Sequence, residues 1–210
     1  MNAQTKRIIL AGPAGDIEVA VDQPVAGAQL SGTAIICHPH PFFGGTMDNK
    51  VVQTLARAFV QCGWSAVRFN FRGVGASAGA HDEGRGETED LLTVVQQLAP
   101  QGPLALAGFS FGSFIMNQAV PHLWPARPIA HLIYVGAAAG RFLSTELPPE
   151  LREKTLVVHG EHDETVALSA VMDWARPQVL PVTVLPGGSH FFHGQLQVLK
   201  NLVIRRLLSP

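Results

Sequence analysis

The sequence predicts an α/β fold in which a mostly parallel sheet is covered by helices on both faces. Strand patterns alternate with helix patterns along most of the chain. Most of the strands are short continuous apolar runs, which is typical of strands buried on both faces of a parallel sheet. The first two form a hairpin pattern and therefore predict an antiparallel edge. No repeat or linker divides the chain, so we expect one domain over residues 1–210.

Apolar spacing assigns the elements in order. The hairpin comprises strands at residues 6–10 and 17–21, joined across a Gly-Pro-Ala-Gly turn. Helices are predicted where apolar residues recur at three- and four-residue spacing. The predicted helices cover residues 49–61, 87–98, 113–120, 166–175 and 193–208. The remaining predicted strands cover residues 32–37, 64–69, 103–107, 129–135, 155–159 and 182–185.

The composition argues against several classes of function. Apolar residues make up 47% of the chain and charged residues only 15%, against a usual charged share of about 25%. The formal net charge is −1 without any basic block, so we expect neither a nucleic-acid nor a membrane partner. We find no signal peptide and no apolar run of about 18 residues, which predicts a cytoplasmic protein. The lightly charged surface is compatible with a homodimer.

A serine lies at the centre of the segment Gly108-Phe109-Ser110-Phe111-Gly112. The segment follows a predicted strand and precedes a predicted helix, which is the context in which a G-x-S-x-G turn exposes a nucleophile. The two outer glycines leave room for the helix to pass close to the strand. The alternative is a Gly-rich turn with an incidental serine, because the pentapeptide alone is a weak motif.

A serine hydroxyl needs a base to take its proton, and a carboxylate must hold that base. Both residue types follow later strands, where the carboxyl ends of parallel strands meet at one sheet edge. His190 is the favoured base because the preceding Gly187-Gly188 pair forms a tight loop that projects a side chain. The other candidate bases are His159, His162 and His193. The candidate carboxylates are Glu161, Asp163 and Glu164, although Asp163 could instead cap the helix that follows it.

The loop after the third strand is a candidate oxyanion loop. A tetrahedral intermediate needs two hydrogen-bond donors, and the backbone N–H of Phe111 would be one of them. His40 stands between Pro39 and Pro41, which have no N–H, so the His40 N–H would be the second donor. A plain rigid turn is the alternative interpretation.

Two other functions compete with nucleophilic catalysis. His38 and His40 form a His-x-His pair typical of metal ligands, and the residues His159, His162 and Asp163 could complete a metal-dependent hydrolase site. A binding protein without catalytic activity on the same fold is the third hypothesis, although such proteins typically lose a member of the catalytic set.

Five segments resemble the small bacterial α/β-hydrolases related to dienelactone hydrolase and the acyl peptidase/esterase group. They cover residues 38–51, 68–77, 108–112, 159–163 and 190–194. The resemblance implies an α/β-hydrolase fold without cofactors and a triad of Ser110, Asp163 and His190, which favours Asp163 among the three carboxylates. It also implies a serine hydrolase that cleaves small carboxylic esters or thioesters through an acyl-enzyme. Dienelactone hydrolases proper use cysteine as nucleophile, and this chain has serine.

Many members of this superfamily insert a helical lid after the strand that is predicted here at residues 129–135. Only residues 136–154 lie between that strand and the next, so the resemblance implies an open site without a cap domain. Aromatic side chains would then form an apolar rim, namely Phe42, Phe43, Phe191 and Phe192, about half of which we expect to belong to the core instead.

Overall fold

Eight strands form one sheet in the computed structural model, which describes residues 5–25, 27, 29–142 and 145–209. The strands are β1 (Lys6–Gly12), β2 (Gly15–Asp22), β3 (Gly32–Cys37), β4 (Trp64–Phe69), β5 (Leu104–Phe109), β6 (Ile129–Val135), β7 (Thr155–Gly160) and β8 (Val182–Leu185). Their order is β1-β2-β4-β3-β5-β6-β7-β8. The pairs β1–β2 and β2–β4 are antiparallel and all others are parallel, which confirms the predicted antiparallel edge.

Helices cover both faces of this sheet. They are α1 (Lys50–Gln61), α2 (Arg85–Leu98), α3 (Phe111–Leu123), α4 (Pro149–Arg152), α5 (Leu168–Ala175) and α6 (Leu196–Leu208). One core contains the apolar faces of α2, α3 and α5, and a second core contains those of α1 and α6. Strand β5 lies between them, since Leu104 and Leu106 point into the first core while Ala105 and Ala107 point into the second. A strand buried on both faces must be apolar at every position, which explains its continuous apolar run.

The predicted strands at 32–37, 64–69, 129–135 and 182–185 have the observed bounds. Four predicted helix starts were wrong by two or three residues. Helix α3 begins at Phe111 rather than at 113, and α2 begins at Arg85 rather than at 87. Helix α6 begins at Leu196 rather than at 193, because residues 190–195 form turns. Helix α5 also begins two residues later than expected, at Leu168.

The connection between β6 and β7 contains no cap domain in its described part, residues 136–142 and 145–154. It carries a single short helix, α4. The predicted loop over 136–154 also includes residues 143 and 144, which lie outside the described residues. Residues 1–4, part of the segment predicted not to be a signal peptide, also lie outside them. None of the helices in the described part of the chain has the length and apolar character needed to cross a membrane.

A buried arginine fixes the segment that follows the candidate oxyanion loop. Arg68 at the end of β4 donates from Nε and Nη2 to Asp22 Oδ2 at 3.1 and 3.0 Å. Its Nη1 donates to the Met47 carbonyl at 2.9 Å and to Asp48 Oδ1 at 3.1 Å. Asn70 adds a side-chain oxygen that accepts the Met47 N–H at 2.9 Å. The antiparallel edge and β4 therefore hold residues 47 and 48 in place.

We expect Arg68→Met to lower the free energy of unfolding by about 3–5 kcal/mol, because it leaves the buried carboxylate of Asp22 without its partner. Denaturant titration measures this loss. Arg57→Met is the matched control, since Arg57 is exposed and should change stability by no more than about 0.5 kcal/mol. Equal effects of the two substitutions would contradict the assigned role of Arg68.

Candidate active site

Ser110 occupies a sharp turn between β5 and α3. Its backbone has φ 52° and ψ −122°, a left-handed conformation that costs a non-glycine residue about 1–3 kcal/mol. The Ser110 N–H donates to the Val135 carbonyl at 2.9 Å, which ties the turn to β6. The Ser110 carbonyl accepts the Ser113 N–H at 2.8 Å and the Ser113 hydroxyl at 2.6 Å. These bonds hold the strained residue at the carboxyl end of the central strand.

The two glycines of the pentapeptide permit close backbone approaches on either side of this turn. A Cβ at position 108 would lie 2.4 Å from the Gly112 carbonyl oxygen, and a Cβ at position 112 would lie 2.3 Å from the Cys37 carbonyl oxygen. The first contact lets α3 pass beside β5, and the second lets α3 pass beside the end of β3. Both glycines are therefore required by the geometry of the turn, as the motif predicts.

The structure brings His190 and Asp163 into hydrogen-bond distance of this serine. His190 Nε2 lies 3.1 Å from Ser110 Oγ, and His190 Nδ1 lies 2.7 Å from Asp163 Oδ2. The three residues come from the loops after β5, β7 and β8, and all of them are largely buried. The imidazole packs against the Phe109 ring at a centroid distance of 4.9 Å, which restricts its orientation.

Asp163 alone among the three candidate carboxylates reaches the His190 ring. Its Oδ1 accepts the N–H groups of Thr165 at 2.9 Å and Val166 at 2.8 Å, so it also caps the following turn. Burial opposes the charged form, but the hydrogen bond from His190 and those from the two N–H groups lower the pKa of the Asp163 carboxyl below its ordinary value. The residue is thus an anion that faces His190 Nδ1.

The two other carboxylates position the backbone of the His190 loop. Glu161 Oε2 accepts the Gly187 N–H at 2.8 Å, and Glu164 Oε2 accepts the His190 N–H at 3.2 Å. Glu164 lies in the loop before α5, which begins only at Leu168. Each contact joins two residues that are 26 positions apart in the sequence. No local sequence pattern could therefore predict them.

The three alternative histidines have other contacts than Ser110. His159 is buried, donates from Nε2 to the Val166 carbonyl at 2.9 Å and lies 3.4 Å from Asp163 Oδ2. It supports the turn that presents Asp163. His162 is exposed, and His193 lies in a turn rather than in the first turn of a helix, where it was predicted.

The candidate oxyanion loop packs directly on the start of α3. The His40 and Phe111 rings have a centroid distance of 4.6 Å. In the described part of the chain, neither the His40 N–H nor the Phe111 N–H has an intramolecular acceptor. The His40 carbonyl accepts the N–H groups of Phe43 at 3.2 Å and Gly45 at 3.1 Å, which closes the loop.

Comparison with protein families matches residues 29–150 to the serine aminopeptidase S33 family of hydrolases. The chain belongs to this family. A solved serine hydrolase without a lid from Xanthomonas campestris is 39% identical, with a TM-score of 0.86 over 99% of this chain and 95% of that one. A serine hydrolase homologue from Coxiella burnetii is 40% identical, with a TM-score of 0.83 over 97% of each chain.

An uncharacterized protein of Rickettsia prowazekii is 38% identical over 118 residues, which are 54% of this chain and 49% of that protein. The chain thus spans about half the length of this curated relative. Together with the lidless fold, these similarities confirm the resemblance to small α/β-hydrolases that have no cap domain.

The predicted aromatic rim of this S33 family member is partly exposed. Phe42 and Phe43 are 75% and 81% exposed, and Phe191 is 38% exposed, whereas Phe192 is fully buried. Phe191 packs against the His190 ring with a centroid distance of 5.2 Å. Phe42 and Phe43 each lie 5.4 Å from the His40 ring. The exposed aromatic residues therefore flank both sides of Ser110, while Phe192 belongs to the core.

His38 does not have the geometry of a metal ligand. Its Nε2 accepts the Phe71 N–H at 3.0 Å, and its Nδ1 lies 2.6 Å from the Pro39 carbonyl, so both ring nitrogens have protein partners. Burial lowers the pKa of His38 to about 4 and outweighs the opposing contact with the Pro39 carbonyl. The His-x-His pair is thus divided between a buried, neutral His38 and a His40 at the surface of the loop.

The low pKa of His38 predicts a loss of stability in mild acid. In the unfolded chain His38 is protonated below pH about 6.5, whereas in the native protein its ring stays neutral until the pH falls to about 4. The free energy of unfolding therefore decreases as the pH is lowered across this window. The variant His38→Gln keeps an acceptor for the Phe71 N–H but does not titrate. When the pH is lowered from 6.5 to 5, the free energy of unfolding should decrease by about 2 kcal/mol more for the native protein than for this variant.

Denaturant titration at a series of pH values measures this difference. His131 also has a pKa of about 4, but it is present in both proteins, so its contribution to the pH dependence of stability cancels in the comparison. Parallel stability curves for the two proteins would show that His38 is not the buried neutral group described above.

Proposed function

We propose that this protein is a serine hydrolase that cleaves small carboxylic esters or thioesters through an acyl-enzyme on Ser110. One observation carries the proposal: a single imidazole, that of His190, contacts the Ser110 hydroxyl at 3.1 Å and the Asp163 carboxylate at 2.7 Å. The family match and the lidless serine hydrolases at about 40% identity support the same class of chemistry.

Proton transfer follows from the hydrogen bonds of His190. The anionic Asp163 selects the tautomer with a proton on Nδ1, which leaves a lone pair on Nε2 facing the Ser110 hydroxyl. When Ser110 Oγ bonds to the acyl carbon, its proton passes to Nε2. Collapse of the intermediate breaks the bond to the alcohol or thiol, which takes that proton and leaves. A water molecule then attacks the acyl-enzyme, gives its proton to Nε2 and releases the acid, and Ser110 regains its proton.

The negative charge of each tetrahedral intermediate needs preorganised donors. The N–H groups of Phe111 and His40 fit this role because each lacks an intramolecular acceptor within the described residues and the two side chains are in contact. Phe111 gains its orientation from the start of α3, and its N–H is one of the first four helical N–H groups, which have no intrahelical partner. His40 gains its orientation from the two flanking prolines.

The exposed aromatic side chains beside His40 favour an apolar acyl group. Exposed Phe42 and Phe43 supply apolar contact area for the substrate.

The homodimer, the cytoplasmic location and the single domain over residues 1–210 remain predictions from the sequence.

Substitution of the nucleophile is the primary test. Ser110→Ala should lower kcat for p-nitrophenyl acetate by about 10⁴- to 10⁶-fold, because it removes the group that forms the acyl-enzyme in the proposed mechanism. A fluorophosphonate should add to the native protein at Ser110, as seen by mass spectrometry, and not to the variant. Ser169→Ala, at an exposed serine of α5, is the matched control and should retain full activity. Unchanged turnover by Ser110→Ala would overturn the proposal.

A backbone substitution tests the second oxyanion donor. His40 has φ −56° and ψ 128°, which proline can adopt, so His40→Pro removes the N–H without requiring a new backbone conformation. We expect kcat to fall by about 10²- to 10³-fold, as for loss of one donor in other acyl-transfer enzymes. His40→Ala removes the ring but keeps the N–H, and it should lose much less. Equal losses in the two variants would assign the effect to the ring instead.

A further inference from the structure

A second histidine–carboxylate pair lies on the oxyanion side of Ser110. His81 Nδ1 is 2.7 Å from Glu87 Oε1, and both side chains are at least nine-tenths buried. The contact is close, although the ring nitrogen does not point along a hydrogen bond to that oxygen. The proton-transfer steps described above do not use this pair, and burial of a carboxylate is costly unless hydrogen bonds or a nearby positive charge compensate it.

Glu87 is rigidly held. It lies in the first turn of α2, is fully buried, and its carboxylate accepts the N–H groups of Asp82 at 3.0 Å and Gly84 at 2.8 Å. Gly84 approaches α3 so closely that a Cβ there would lie 2.4 Å from the Phe114 ring. The turn that carries His81 is therefore fixed against two helices.

His81 extends from this fixed turn to the candidate oxyanion loop. Its ring centroid lies 4.9 Å from that of His40 and 4.7 Å from that of Phe42. It also lies 5.5 Å from the ring of Phe111, the residue that carries the other candidate donor. The His40 ring contacts both His81 and Phe111, so these three rings form one packed cluster next to the nucleophile.

We propose that His81, held by Glu87, is a positioning residue that fixes His40 so that its backbone N–H can stabilise the oxyanion. The inference rests on the proposed function, because it needs the His40 N–H to be a donor. Other groups anchor the loop before and after His40: His38 by its bond to Phe71, and Met47 by its bonds to Arg68 and Asn70. His81 contacts the middle of the loop at His40 and Phe42, and Phe111 and Phe142 also pack against the His40 ring.

The role predicts a loss in kcat rather than in substrate binding. A misplacement of about 1 Å can cost up to about 10²-fold in rate, so we expect His81→Ala to lower kcat by about 10-fold while KM changes by less than about 2-fold. Glu87→Gln keeps the side-chain shape but removes the charge opposite His81, and kcat should fall in the same way. His122→Ala is the matched control, because His122 is exposed at the far end of α3.

A double-mutant cycle tests whether His81 acts through His40. In the His40→Pro background the N–H is absent, so adding His81→Ala or Glu87→Gln should lower kcat by less than about 2-fold. Full additivity of the losses would overturn the proposal, as would native kcat in both single variants. If His81→Ala does not fold, the cycle is measured with Glu87→Gln alone, whose folding is checked by its thermal unfolding midpoint.

The outcome is separable from that of the proposed function. Turnover by Ser110→Ala would refute the serine mechanism regardless of His81. An inactive Ser110→Ala together with a fully active His81→Ala would leave the serine mechanism intact and refute only the positioning role. A rise in KM with unchanged kcat for His81→Ala would likewise overturn positioning, since it would show that the ring contacts the substrate in the ground state.

Discussion

The position of the Ser110 hydroxyl depends on a backbone conformation that serine adopts only when its surroundings force it to. The left-handed φ of 52° is opposed by local sterics and maintained by the bonds to Val135 and Ser113. Those bonds exist because β6 lies beside β5 and α3 packs on the sheet. The 3.1 Å contact with His190 and the orientation of the Phe111 N–H both follow from this single turn. The packing of the buried sheet thus stabilises the strained conformation of Ser110.

Much of the fold was predictable because burial on both faces leaves a direct trace in the sequence. Strands such as β3 and β6 are continuous apolar runs, and their predicted bounds match the structure. Helix starts were less predictable, since they depend on backbone contacts rather than on periodicity. Helix α3 begins immediately after Ser110 because of the sharp turn, and α6 begins late because the loop after His190 must first return from the site.

Ser110, Asp163 and His190 could be predicted as neighbours because each of them follows the end of a predicted strand. Ser110 and His190 had local signals in their flanking glycines, and the choice of Asp163 over its acidic neighbours needed the family resemblance. Glu161 and Glu164 instead bond to the His190 loop, across separations in sequence that no local pattern encodes. The His81–Glu87 pair was missed for the same reason. A buried glutamate in the first turn of a helix cannot be distinguished by sequence from a solvated one that favours the helix dipole.

The two sides of the site are supported by different parts of the sheet. His190 and Asp163 depend on the loops after β7 and β8, whereas the candidate oxyanion loop depends on β3, β4 and the start of α2. The two supports meet at Ser110 and Phe111. The described part of the connection between β6 and β7 contains no cap domain, and these loops hold their geometry through their own contacts. In the proposed mechanism, proton transfer and charge stabilisation are therefore carried by separate parts of the fold, and we expect residues within one side to be coupled more strongly than residues on opposite sides.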